Sequence, residues 1–87
     1  MTTYRHAPGV LWRRSGDRVV VDRPGDDEAL VLAGPASEAW ALLAEPWTAA
    51  ELTADLAGRY GERPETVRAD VIAMLDQLRD AGALTSA

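Results

Sequence analysis

An 87-residue chain with 47% hydrophobic residues, three Trp and 26% charged residues has enough material for one small globular domain and too much apolar content for a disordered tail. Its net charge of −5 comes from 14 acids against nine basic residues, and it contains no Cys. Disulfides, thiol catalysis and thiolate zinc sites are thereby excluded, and the acidic balance is the reverse of what a nucleic-acid binder usually needs.

The amino end, MTTYRHAPGV, lacks the basic start and apolar core of a signal peptide. No run approaches the roughly 18 apolar residues that span a bilayer. Together with the missing Cys, this leads us to expect a cytoplasmic protein with no membrane partner. All nine basic residues are Arg, and they are unevenly matched: residues 1–33 hold five Arg and five acids, residues 34–87 four Arg and nine acids. Residues 1–9 read as a flexible lead-in, residues 10–84 as the folded domain and residues 85–87 as a tail.

Short runs of β-branched and aromatic residues predict three strands in the first third of the chain. Val10–Arg13 and Arg18–Asp22 are separated by SGD, which suits a tight hairpin. Pro24 and Gly25 in RPGDD then suit a type II turn into a third strand, Ala29–Ala33. From Gly34 the apolar period changes from two to about 3.6 residues. A first helix opens at Pro35, buries Ala36, Ala39, Trp40 and Leu43, and stops by Pro46. TAAE supplies a capping box, Thr48 with Glu51, for a second helix whose inner face is Ala49, Leu52, Leu56 and Tyr60. Trp47, one residue before that cap, is spaced for a hydrophobic staple with Leu52. Pro64 starts a long third helix that ends at Gly82, with Val67, Val71, Met74 and Leu78 as its core stripe. The fold class is therefore α+β: a three-stranded antiparallel sheet followed by three helices, an order shared with winged helix-turn-helix domains.

The residues argue against an enzyme. The single His, His6, lies in the N-terminal lead-in, no Ser or Thr has a base nearby in sequence, and carboxylate pairs such as Asp26/Asp27 and Glu62/Glu65 fall in turns and at helix starts. There they complement helix dipoles and favour solubility. Nothing has calcium-loop or clustered-His spacing, so neither metal nor cofactor is expected. A winged-helix regulator binding DNA or another protein is the alternative. Against its DNA form, Glu62–Asp80 sets Arg63, Arg68 and Arg79 against Glu62, Glu65, Asp70, Asp76 and Asp80, and such a surface repels phosphate.

LVLAGPASEAWALL, TAAELTADLAGRYG and VRADVIAMLDQLRDAGAL, in this order, resemble the PqqD-like family, also called RiPP recognition elements. The likeness runs from about Val10 to Leu84 and includes Trp40, Leu42 and Leu43, then Asp70, Val71, Met74, Leu75, Leu78, Gly82 and Leu84. Ala29 and Ala33 stand where the family often has an aromatic residue and an Asn, and Ile72 where a polar residue is common. The resemblance implies a non-catalytic peptide-binding adaptor. Such a domain captures the leader of a ribosomally made precursor peptide and presents it to a modifying enzyme such as a leader peptidase, a cyclase or a radical SAM enzyme. It also implies that the leader adds as a strand beside the third strand and packs against the third helix.

Ala29–Ala33 is suited to this, being apolar on both faces with its charges confined to Asp26, Asp27 and Glu28. So lightly defended an edge invites pairing, with a leader or with a second copy of the chain. On the third helix a second stripe, Arg68, Ile72, Leu75 and Arg79, places apolar residues between two guanidinium groups. This would suit a peptide with apolar anchors and acidic neighbours. The other reading is that Ile72 and Leu75 only widen the core stripe. The candidate peptide-binding residues are thus Ala29, Leu30, Val31 and Leu32 on the strand, and Arg68, Val71, Ile72, Leu75 and Arg79 on the helix.

Overall fold

The computed structural model of the protein describes residues 1–87. In chain order the elements are β1 (Thr3–His6), β2 (Leu11–Ser15), β3 (Arg18–Asp22), β4 (Leu30–Ala33), α1 (Pro35–Leu42), β5 (Trp47–Thr48), α2 (Ala49–Tyr60), α3 (Pro64–Asp80) and β6 (Leu84–Ser86). They form two separate three-stranded sheets, β2-β3-β4 and β5-β1-β6.

The first sheet is the one the sequence predicts. Ser15 faces Arg18 across a two-residue loop, and Gly16 there takes φ +64, the left-handed start that such hairpin turns require. β3 then pairs antiparallel with β4, matching Val19 to Leu32 and Val21 to Leu30. Val19 and Val21 are fully buried, while Leu30 and Leu32, which share their face, are half-buried. Val31 and Ala33 point outward. Gly34, with φ +60, turns β4 directly into α1 without a further loop residue.

The second sheet departs from expectation. Residues 3–6, expected to be a flexible lead-in, form β1, which pairs antiparallel with β6 (Arg5 with Thr85) and β5 (Tyr4 with Trp47). Thr85 and Ser86, expected to be a tail, belong to β6, and the Thr3 and Ala87 backbones exchange two hydrogen bonds at its end. His6, far from being free, stacks on Trp40 at 3.8 Å between ring centroids, and its Nε2–H donates to the Trp40 carbonyl oxygen at 2.8 Å. Trp12 meets the Trp40 ring edge-on at 6.3 Å, so it packs on the sheet's inner side while keeping 42% exposure. Burial, above all, lowers the His6 pKa from its ordinary value, with Arg5 adding to the shift and the Trp40 hydrogen bond opposing it.

The core lies between the first sheet and the helices: Val19, Val21, Ala39, Trp40, Leu43, Leu52, Leu56, Val71, Leu75 and Leu78. α1 buries Ala39, Trp40 and Leu43 as its spacing predicts, and Ala36 is half-buried. α2 starts with the expected capping box: the Glu51 amide donates to Thr48 Oγ1 at 3.1 Å and the Thr48 amide donates to Glu51 Oε1 at 2.9 Å. Its buried face is Leu52, Thr53, Leu56 and Ala57. Tyr60, expected inside, is 45% exposed, because the helix ends there and its ring reaches the rim of a cavity instead. Trp47 is half-buried against the core but does so as a strand residue of β5.

Candidate functional site: the open edge of β4 and the flank of α3

β4 pairs with β3 on one side only, and its other edge has no strand. In an antiparallel ladder alternate residues turn their N–H and C=O groups to opposite sides, so a four-residue strand presents about four hydrogen-bonding groups at a free edge.

Two contacts fix where α3 runs relative to that edge. Arg23, just past β3, donates from Nη1 to the Ala81 carbonyl at 2.9 Å and from Nη2 to the Glu28 carbonyl at 2.8 Å, and it pairs with Asp26 at 3.2 Å. It thus ties the C-terminal end of α3 to the approach to β4. At the other end Pro35, two residues beyond β4, lines a cavity of about 380 Å³ together with Leu56, Val67, Val71 and Met74. Its polar lining is Tyr60, Glu62, Thr66 and Asp70. The lengths agree: Glu28 to Pro35 spans about 23 Å of extended chain, and Ala81 back to Val71–Val67 about 15–21 Å of helix. These contacts set α3 antiparallel to β4, with Arg23 at one end of the pair and the cavity at the other.

This arrangement re-sorts the residues expected on α3. Leu75 is fully buried and belongs to the core. The α3 residues of the cavity are Thr66, Val67, Asp70, Val71 and Met74. Arg68 instead faces Ala50 and Thr53 of α2 across a separate shallow hollow, beside Pro64 and Glu65. Ile72, one position round from Val71, is exposed outside the cavity, and Arg79 pairs with Asp76 at 3.2 Å. Of the stripe Arg68, Ile72, Leu75 and Arg79, Leu75 lies in the core and the other three are exposed. The reason is the 100° step per helical residue: the buried line runs through Val71, Leu75 and Leu78, so the neighbouring flanks are Val67/Asp70/Met74 and Arg68/Ile72/Arg79. Val67 and Met74, expected in the core stripe, are half-buried and line the cavity, whereas Ile72 stands among Arg68 and Arg79 on the exposed flank. Of the expected set, Leu30, Val31 and Leu32 form β4, Ala29 precedes it, and Val71 lines the cavity.

The flank that lines the cavity also carries a different charge. Glu62 and Asp70 line the cavity and join none of the protein's ion pairs, whereas Arg59 and Arg63 are engaged by Asp55 and Glu65. Tyr60 has its phenol pushed up from the ordinary value by burial and by the Glu38 carboxylate beside it. No group of three or more His, Asp or Glu side chains is placed to hold a metal ion, and no helix is long and apolar enough to cross a membrane.

Three helices and a three-stranded sheet with one unpaired edge define a small winged-helix-like α+β domain. The sequence profile of the PqqD family, described as coenzyme PQQ synthesis protein D, matches residues 18–84. The chain belongs to that family. Among solved structures it is similar to TbiB1 in complex with the TbiA(beta) leader peptide, at 22% identity and a TM-score of 0.83, covering 92% of this chain and 93% of that one. It is also similar to the PqqD truncation of Methylobacterium extorquens PqqCD, a stand-alone RiPP recognition element solved by solution NMR. There the identity is 22% and the TM-score 0.77, covering 95% of this chain and 88% of that one. Both show the same α+β fold. No curated protein matches the chain in sequence.

Proposed function

We propose that this chain is a non-catalytic adaptor that captures the leader of a ribosomally synthesised precursor peptide and presents the precursor to a modifying enzyme. The observation that carries the reading is the unpaired edge of β4 running beside α3, in a chain of the PqqD family. The leader adds as a fourth strand to β4, so that a trough between this strand edge and α3 receives its side chains, together with the cavity at its end. About four edge hydrogen bonds at roughly 1 kcal/mol each, net, fall short of the −8 kcal/mol or so that micromolar binding needs. One or two buried side chains, at about 1.5–3 kcal/mol apiece, supply the remainder. Backbone pairing sets the register, and the cavity formed by Val67, Val71, Met74 and Tyr60 sets the identity.

The test is titration of the folded protein with the synthetic leader of a short precursor encoded beside its gene, followed by fluorescence polarisation. Saturable binding is expected, with amide-exchange protection concentrated in residues 29–33. A folded protein that ignores this leader would sink the reading.

A further inference from the structure

The Arg-flanked stripe read from sequence favours a peptide with acidic residues, but the flank of α3 that borders the trough carries the opposite charge. Glu62 and Asp70 line the cavity, Glu38 lies beside Tyr60 at its rim, and no Lys or Arg is among the nine lining residues. At the far end of the trough stand Asp26, Asp27 and Glu28, all exposed. The one cation there, Arg23, is taken up by two backbone carbonyls and Asp26. Arg68 and Arg79, which would reverse this balance, lie away from the cavity.

Resting on the adaptor reading, we infer that the cavity at the end of the trough selects a Lys or Arg of the added strand, with its aliphatic stem against Pro35, Val67 and Met74 and its charged end between Glu62 and Asp70. The chemistry favours this residue type over its rivals. A purely apolar side chain there would gain nothing from the two exposed carboxylates, Glu62 and Asp70, and would strip part of their hydration. An acidic side chain would add repulsion to that cost. A long cationic side chain covers apolar surface with its methylenes while its end meets the unpaired carboxylates. The same charges give the peptide a polarity preference, because both ends of the trough attract cations while its middle, beside Leu30 and Leu32, is apolar.

The experiment scans the strand-forming segment of the synthetic leader from the neighbouring precursor, replacing each residue in turn by Lys, norleucine or Glu. Affinity is read by fluorescence polarisation at low and high salt. At one position Lys should bind about five- to tenfold more tightly than norleucine at low salt, Glu should bind most weakly, and the advantage of Lys should shrink as salt rises. The double variant Glu62→Gln/Asp70→Gln, at two exposed positions, should still bind the norleucine peptide and lose the preference for Lys. Norleucine equal to or better than Lys at every position, or a Lys preference that survives the double variant, would overturn the inference while leaving the adaptor role standing. Failure of the unsubstituted leader to bind at all would remove both.

Discussion

The two sheets of this small domain are built on opposite plans. β2, β3 and β4 follow one another in the chain, joined by short turns, and leave an edge unpaired; β5, β1 and β6 come from the chain's middle and both its ends and are held by neighbours far away in sequence. The first sheet carries the unpaired edge of β4. The second closes the structure behind it, joining the two termini and seating His6 on Trp40. A domain of this length has little core to spare, so it uses its termini as structure.

Removing residues 1–6 breaks the second sheet and offers the largest test of this division. The deletion removes the pairing of β1 with both neighbours and the His6 contacts, so it should lower unfolding free energy by at least about 3 kcal/mol in a denaturant titration. A loss under about 1 kcal/mol would mean that the first sheet and the helices stand alone. Next come the two faces of α3. Leu75→Ala should cost about 2–5 kcal/mol of stability as a buried truncation, and Ile72→Ala less than about 1. Equal effects would contradict the division between core and far flank.

On the binding side, Val67→Asp, with folding checked by circular dichroism, should weaken leader affinity by about tenfold, the equivalent of one lost apolar contact. Ile72→Asp should leave it unchanged; the reverse ranking would restore the flank that the sequence pattern favours. The smallest expected effect is on pH dependence and tests the second sheet alone. Burial lowers the His6 pKa in the folded state, so below pH about 6.5 the unfolded chain takes up the proton first. The stability associated with neutral His6 is therefore full above that pH and falls as pH drops from there through the lower folded value. His6→Gln should flatten that part of the stability profile, as followed by thermal melts between pH 7.5 and pH 5.

Legibility followed the distance over which each element finds its partner. The β2–β3 hairpin, the β4-to-α1 turn, the capping box of α2 and the proline start of α3 are decided by residues within a few positions of each other, and the chain announces them through Gly16, Gly34, Thr48, Glu51 and Pro64. β1 and β6 carry no such marks. TYRH and LTS alternate too briefly to signal a strand, and they become one only when folding brings residues 80 positions apart together. The candidate site divides in the same way: Leu30, Val31 and Leu32 were readable as a short apolar run bounded by turn residues, and Val67 and Met74 from their helical spacing, whereas only the packing of α2, α3 and Pro35 brings Tyr60, Glu62 and Asp70 to the same cavity.

The amino-acid order by itself determined the fold class, the family and the strand whose edge is left free, because these depend on local periodicity, on turn chemistry and on motif spacing. The tertiary structure decided which side of α3 lines the cavity with Pro35, Leu56 and Tyr60, and with it the charge at that cavity. A helix shows its partners a direction in space, and a rotation about its axis separates the flank carrying Arg68, Ile72 and Arg79 from the one carrying Val67, Asp70 and Met74.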